Sequence, residues 1–466
     1  MSDTIAAIST APGEAGIGII RISGNKSLEI MKNIMIPFPI EIEPRHAYFA
    51  NVVYKDEIID ECIFIFMKGP SSYTGEDMLE IQAHGSNVSL KKIINSITLI
   101  KVDNNGEIIR LADPGEFTKR AFLNGKMDLS QAEAVIDIIN AKSDFSLEVA
   151  ERQKEGRLGQ SIREIRENIL DILAQMAVSI DYPDEDIEES DNEKYINQLR
   201  WISSYIDDLL DTVAIGKIAK EGIKITIIGK PNVGKSSLMN ALLGEGRVIV
   251  TDIPGTTRDT VEEKISIGGI PIVLTDTAGL RKTDDVVEKI GIEKAEKSIS
   301  SADMIMLVID ATDKIDNEED IIIDYLDKMN KDKILVVINK TDLGISPDIK
   351  NLEKRLSGAN IIYTSLIEKN IKESVKKISQ SITEIFELGK IISSESNIIT
   401  NQRHVNLLRS ASSNLNESIT MIQNGDPIEV AELSVHYAYE SLGKIIGEAV
   451  DDEILDTVFS KFCLGK

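Results

Sequence analysis

Gly229-Lys-Pro-Asn-Val-Gly234-Lys235-Ser236 is the stretch that decides the fold. It is a complete GxxxxGK[ST] string, preceded by the apolar run Ile223–Ile228 and followed by a helix-like run from Ser237 to Leu243. In that strand–loop–helix setting, glycines let the backbone wrap a phosphate chain with its N–H groups pointing inward, and the helix N-terminus adds positive potential. Lys235 is expected to reach the terminal phosphates and the Ser236 hydroxyl to ligate magnesium. Asn232, Val233 and Ser237 complete the expected phosphate contacts.

The segments around this loop extend the pattern. Strand-like runs at Met304–Asp310, Ile334–Ile338 and Ile361–Thr364 alternate with helical ones, the signature of a parallel sheet wrapped by helices. Ile265–Leu274 differs. Gly268-Gly269 separates two β-rich runs there, which predicts a hairpin supplying one antiparallel edge. Asp276-Thr277-Ala278-Gly279 follows one strand run, where the Asp can hold magnesium through water and Gly279 can sense the γ-phosphate. Asn339-Lys340-Thr341-Asp342 follows another. A carboxylate there accepts two hydrogen bonds from the N1 and N2 hydrogens of guanine, and a buried acceptor of this kind rejects adenine by up to ~10⁴-fold. Between the loop and Asp276 lies Gly255-Thr256-Thr257-Arg258-Asp259, whose Thr257 is placed to complete the magnesium shell. Four such elements in order, each at a strand end, resemble the Ras-like GTPase family. One feature departs: Leu280 stands where the Ras pattern has a water-orienting glutamine. By spacing alone, Asp284, Asp285 and Glu288 are equal candidates for that task.

The rest of the 466 residues has two other textures. Residues 1–118 mix short β-rich runs (Gly18–Ile22, Glu61–Met67) with a helical stretch near Ser89–Leu99, an α+β pattern. From Asp128, which forms a capping-box pattern with Gln131, the chain reads as helix until Pro183. The acidic run Asp184–Asp191 reads as a solvated loop, since it lacks the spacing of a calcium loop. After Thr383 the helical pattern resumes, with Val405, Leu408, Leu415, Ile419 and Ile422 on one face. The expectation is a multidomain chain: an α+β domain over 1–118, a discontinuous helical domain over 119–215 plus 380–466, and a GTPase domain over 216–379 inserted in it.

Composition narrows the classes further. Lys+Arg 52 against Asp+Glu 77 gives 52 − 77 = −25, with a pI near 4.7, which argues against binding nucleic acid over a broad face. Two cysteines, Cys62 and Cys463, and four scattered histidines leave no disulfide framework and no Cys- or His-built metal centre. The opening MSDTIAAIST has no basic segment of the secretory kind, and the apolar runs fall short of the ~18 residues a bilayer span needs. These features lead us to expect a cytoplasmic protein away from membranes.

More specific resemblances lie in longer stretches. Gly229–Ser237 paired with Thr251-Asp252-Ile253-Pro254-Gly255-Thr256-Thr257-Arg258-Asp259 is similar to a group of bacterial RNA-related GTPases that activate with potassium. Outside that block stand Asp3-Thr-Ile with Gly18-Ile-Ile-Arg-Ile-Ser-Gly24, Ser72-Tyr-Thr-Gly-Glu-Asp-Met-Leu-Glu80-Ile-Gln-Ala-His-Gly85, Pro114-Gly-Glu-Phe-Thr-Lys-Arg-Ala-Phe-Leu-Asn-Gly-Lys126, and Phe462-Cys463-Leu464-Gly465-Lys466. Together, over essentially the full length, the chain resembles the MnmE (TrmE) family of tRNA modification GTPases.

The resemblance implies a homodimer whose residues 1–118 form a tetrahydrofolate-binding and dimerisation domain, similar to folate-dependent aminomethyltransferases. It implies an FAD- and NADH-using partner, MnmG, in a heterotetramer, and the net charge of −25 fits a division of labour in which that partner provides most of the tRNA contact. The implied reaction adds an aminomethyl or carboxymethylaminomethyl group to carbon 5 of the wobble uridine, using a 5-formyl- or 5,10-methylene-type tetrahydrofolate. Arg21, Glu80, Lys126 and Lys466 match the family's folate contacts. Asn232 matches the side-chain ligand of a potassium ion, and Thr251, Ile253 and Thr256 match positions offering it backbone oxygens. Ser236 and Thr257 match the magnesium ligands, and Glu288 aligns with the family's catalytic glutamate.

Two positions depart from the family pattern. Ser365-Leu366-Ile367 replaces a Ser-Ala-Lys/Arg segment behind the guanine, and Gln82-Ala83-His84-Gly85-Ser86 replaces Gln-Gly-His-Gly-Gly. A GTPase switch for ribosome assembly is the competing reading. The folate-type stretches and the Cys-x-Gly-Lys ending argue against it, and a stand-alone aminomethyltransferase leaves the GTPase block unexplained.

Overall fold

The computed structural model describes residues 3–100, 109–181, 189–245, 247–248, 262–276, 299–300, 302–367, 369–386, 397–448 and 450–466. It comprises two compact units, each discontinuous in sequence: Met1–Ile136, Gln153–Ser204 and Asn406–Lys466 in one, Asp137–Arg152 and Tyr205–Val405 in the other.

The first unit holds a seven-stranded sheet of β1 Thr4–Ile8, β2 Ala15–Ser23, β3 Met35–Ile36, β4 Ala47–Tyr54, β5 Glu57–Met67, β6 Met78–Gly85 and β7 Ile109–Leu111, in spatial order β3-β4-β5-β6-β2-β1-β7. All pairings are antiparallel except β1 with β7. The period of two along a strand sorts the side chains. Ile20, Ile22, Leu79 and Ile81 point to one face and are buried with Ile30, Met31, Ile93 and Ile97 of the helices Ser27–Ile34 and Asn87–Thr98. Arg21, Ser23 and Glu80 alternate with them and so occupy the opposite face. There Ile5, Ala7 and Met78 pack with Phe117 of the helix Glu116–Leu123.

Helices make up the remainder of this unit. Leu158, Ile162, Ile165, Ile169, Ile172 and Met176 form the buried stripe of Arg157–Asp181, which packs against Ala431, Val435, Ala438, Leu442 and Ile445 of Ile428–Ile446. The helix Leu129–Asn140 begins with the expected reciprocal cap. Gln131 N donates to Asp128 Oδ1 and Asp128 N to Gln131 Oε1, both at 3.0 Å. Residues 184–188 of the acidic run lie outside the described residues, while 189–191 open the helix Glu189–Asp211.

The second unit is built on β8 Ile223–Ile228, β9 Arg247–Val248, β10 Glu262–Ile267, β11 Ile270–Asp276, β12 Met304–Asp310, β13 Ile334–Asn339 and β14 Asn360–Tyr363, ordered β14-β13-β12-β8-β11-β10-β9. Five neighbouring strands are parallel, and β12 and β13 are buried at every position because helices cover both faces. The hairpin forms as expected, with Gly268 and Gly269 both at positive φ between Ile267 and Ile270. It does not supply the edge, however. The two-residue β9 pairs outside β10 and ends the sheet.

Candidate functional site

The loop between β8 and the helix Lys235–Glu245 is shaped by close approach. A Cβ on Gly229, at φ +144, would stand 2.3 Å from the Val308 carbonyl oxygen of β12. One on Gly234, at φ +108, would stand 2.3 Å from Asn339 Nδ2. Both contacts are too short for any side chain, so only glycine lets the loop lie this near its neighbours. Asn232 adopts φ +65 on the exposed crest, and Ser236 and Ser237 are exposed in the first helical turn. Lys235 is buried, and its ammonium donates to the Gly229 carbonyl at 2.7 Å and to that of Lys230.

The end of β13 is tied into this loop. Asn339 is buried and donates from Nδ2 to the Val233 carbonyl at 2.9 Å. Lys340, in the left-handed region, pairs its ammonium with Asp310 Oδ2 at 2.5 Å. Burial alone would raise the Asp310 pKa, but the bonds from Lys340 and Thr312 outweigh it and hold the carboxyl below its ordinary value. Thr341 donates from its amide and hydroxyl to the Thr364 carbonyl at 3.2 and 3.0 Å. Ser365 donates its hydroxyl to Asp342 Oδ1 at 2.6 Å, while Ser374 Oγ bonds both the amide and the carbonyl of Ser365. In the departing triplet, Ser365 thus orients the aspartate, Leu366 packs on the core and Ile367 is exposed.

The structure therefore brings Asn232, Val233, Gly234, Lys235, Ser236 and Ser237 together with Asn339, Lys340, Thr341, Asp342 and Ser365. Asp276 is the last residue of β11, the strand beside β8. Thr251, Asp252, Ile253, Pro254, Gly255, Thr256, Thr257, Thr277, Ala278, Gly279 and Glu288 lie outside the described residues. Sequence reading missed Asp310 as a partner of Lys340; its one signal was an acid closing an otherwise apolar strand run.

The first unit carries a second polar site. Arg21 and Glu80 are directly paired across β2 and β6, and Arg21 Nε and Nη2 both reach Glu80 Oε1, at 2.9 and 2.7 Å. Arg21 lies 5.8 Å from the Tyr73 ring centroid and 6.0 Å from that of Phe117. The Gly465 carbonyl accepts from Arg21 Nη1 and Ser9 Oγ, each at 3.2 Å. Lys466, half-buried beside it, has its pKa lowered by burial first and then by the Arg21 and Lys154 charges. Lys126 donates to the Pro70 carbonyl at 2.9 Å.

A buried network anchors the adjacent segment. Ser23 Oγ bonds Thr74 Oγ1 and Glu76 Oε2, at 2.7 and 2.8 Å, and Arg120 reaches Glu76, Glu116 and Asp3 at 2.7–3.0 Å. Cys463 is exposed, while Phe459 and Phe462 beside it are buried. Cys62 is buried, and burial pushes its thiol up to about 12, which makes it inert. Among the described residues no group of three or more His, Cys, Asp or Glu is placed to hold a metal ion, and no helix is long and apolar enough to cross a membrane.

Comparison with known proteins agrees over the whole length. The family model for the GTP-binding protein TrmE N-terminus matches residues 4–126, and that for the MnmE helical domain matches residues 129–463. The chain is 44% identical over 470 residues to the tRNA modification GTPase MnmE of Clostridioides difficile (strain 630), covering 100% of both. It is 41% identical over 472 residues to that of Alkaliphilus metalliredigens (strain QYMF), again covering 100% of both. With the Bacillus cereus protein of the same name it shares 40% over 468 residues, covering 100% of this chain and 99% of that one.

Proposed function

The chain belongs to the MnmE family of tRNA modification GTPases, and from that premise we propose that it works with an FAD-dependent MnmG subunit on the wobble uridine of tRNA. It is an enzyme that hydrolyses GTP in tRNA modification. In the proposed reaction a homodimer and its partner, in the cytoplasm, add an aminomethyl or carboxymethylaminomethyl group to carbon 5. A tetrahydrofolate is the one-carbon source, and the partner makes most of the tRNA contact, consistent with a net charge of −25. The observation that carries this reading is the joining of Arg21, Glu80 and Gly465 in a unit distinct from the one holding the phosphate loop. A regulatory GTP switch needs only the loop.

The residues fit the groups the family uses. Cationic Arg21 and Lys466 beside the Glu80 carboxylate suit a ligand with an anionic tail and an N–H edge. Lys126 would join them from the Pro70 side. At the phosphate loop, the backbone from Asn232 to Ser237 and the Lys235 ammonium would hold the phosphates, while Asp342, oriented by Ser365, would accept the two guanine hydrogens. Ser236 and Thr257 would hold Mg²⁺; the Asn232 side chain and backbone oxygens of Thr251, Ile253 and Thr256 would hold K⁺. Asn232, a neutral oxygen donor on an exposed crest, fits such a cation. When bound, these ions supply positive charge where negative charge develops in phosphoryl transfer. Glu288 would orient the attacking water.

Nucleoside mass spectrometry of tRNA from cells with and without the protein tests the proposal. Loss of carboxymethylaminomethyl-type wobble uridines on depletion is expected. Their persistence, with ribosomal particles accumulating as precursors, would transfer the protein to ribosome assembly.

A further inference from the structure

Lys230, the second residue of the phosphate loop, has no part in the motif's chemistry, yet its side chain is largely withdrawn from solvent. Its ammonium lies 2.6 Å from Asp316 Oδ2 and 2.8 Å from Glu319 Oε2. Those two acids are the reciprocal cap of the helix Asn317–Asp327. Glu319 N donates to Asp316 Oδ1 at 3.1 Å, and Asp316 N donates to Glu319 Oε2 at 3.4 Å. Glu319 is 2% exposed, and a carboxylate buried that deeply requires a cation; Lys230 supplies it. Burial opposes the Lys230 charge, but its bonds to the two acids outweigh that and raise its pKa.

The backbone carbonyl of Lys230 accepts from the Lys235 ammonium. The same connecting segment grips the guanine side: Asp310 holds Lys340, and Ala311 N donates to the Asn339 carbonyl at 2.8 Å. We propose that Lys230 is a positioning residue that braces the phosphate loop against the capped helix Asn317–Asp327, so that residues 310–319 hold the phosphate and guanine halves of the nucleotide site in one frame. The proposal rests on reading Gly229–Ser236 as the GTP phosphate loop. Its consequence is an effect on nucleotide affinity from a residue that need not touch the nucleotide.

The test measures dissociation constants of fluorescent N-methylanthraniloyl GDP and GTP for the full chain, with KM, kcat and melting temperature. Lys230→Met is expected to weaken both nucleotides about tenfold, the scale of losing a charge-assisted hydrogen bond. KM should rise in step while kcat stays within about threefold. Lys230→Arg should restore affinity, since it keeps the charge. Glu319→Gln, which preserves the cap and removes the charge, should mimic Lys230→Met, and the double variant should be no worse than either single one. Lys235→Ala, run alongside, tests the site itself. If Lys235→Ala abolishes binding while Lys230→Met stays within twofold of the parent, the brace is overturned and the phosphate-loop reading stands. If Lys235→Ala binds normally, the reading falls and the brace with it. A loss in Lys230→Met that Lys230→Arg fails to restore, tracking only melting temperature, also overturns the proposal.

Discussion

Arg21 stands directly across the β2–β6 ladder from Glu80 and spends two of its donors on a single oxygen of that carboxylate. A third donor goes to Gly465. The pair is mostly shielded, with 17% and 18% side-chain exposure, so removing one partner strands the other. Arg21→Met is expected to lower stability by about 1–3 kcal/mol in urea unfolding. Binding of 5-formyltetrahydrofolate, followed by calorimetry, should be lost while GTP turnover stays within about twofold. Unchanged folate binding would remove Arg21 from that site.

Gly465 is at φ +86, and a Cβ there would lie 2.6 Å from Ser9 Cα and 2.9 Å from the Ile8 carbonyl oxygen. Both neighbours are backbone and cannot yield cheaply. Gly465→Ala should therefore lift residues 463–466 off β1, at a cost of at least ~1–2 kcal/mol from the left-handed conformation alone. Faster carboxypeptidase trimming and weakened folate binding are the expected readouts, with nucleotide affinity unaltered.

Asp342, oriented by Ser365, is expected to set base choice. In Asp342→Asn one acceptor becomes a donor, which suits the O2 of xanthine and leaves the guanine amino group unpaired. GTP affinity should fall by about 10²-fold or more while XTP binding improves. Competition binding of the two nucleotides decides it; equal losses for both would place the base elsewhere.

Glu288→Ala is expected to leave GTP binding intact and slow single-turnover hydrolysis by about 10²-fold or more. An unchanged rate would return the task to Asp284 or Asp285. Exchange of potassium for sodium should also slow hydrolysis of the parent chain.

His84 gives a pH signature. Its Nδ1 lies 2.7 Å from Asp60 Oδ1, and that bond raises the imidazole pKa above 6.5. A raised value contributes stability below the unfolded pKa and loses it as pH climbs through the folded one. Asp60 behaves oppositely. Burial alone would raise its pKa, but bonds from His84 and Ser89 hold it below 3.8, so its share disappears as pH falls through the lowered value. The pair is thus strongest between about pH 4 and 6.5. An NMR titration of His84 should show a midpoint above 6.5 that moves down in Asp60→Asn; a midpoint indifferent to that change would sink the pairing.

Much of the architecture could be read locally. The run Ile223–Ile228, the glycine loop and the helix after it form a contiguous signal, as does Gly268-Gly269 between two β-rich runs. The Asp128–Gln131 cap spans a separation of three residues and is equally visible. What escaped the reading is long-range. β9 has two residues and no periodicity. Lys230, just past β8, meets Glu319, just past the neighbouring β12, and no spacing rule predicts such a contact. At the end of the chain Phe459 and Phe462 are buried and Cys463 is exposed, an allocation that only the packed fold reveals. At the nucleotide site the phosphate loop, Asp276 and Asn339–Asp342 were legible because each sits at a strand end. Their supports, Asp310 and Ser374, were not, since each acts through a partner chosen by the fold.

The Arg21–Gly465 bond joins residues 444 positions apart. At roughly 5–20 residues per second, a ribosome needs about 20–90 seconds to make the chain between them. For that interval Arg21 lacks its Gly465 partner, while all of the phosphate loop emerges before that partner exists. Translation order therefore completes the phosphate loop before the Arg21–Gly465 contact can form, so on the proposed reading a nucleotide site precedes a one-carbon site in every newly made chain.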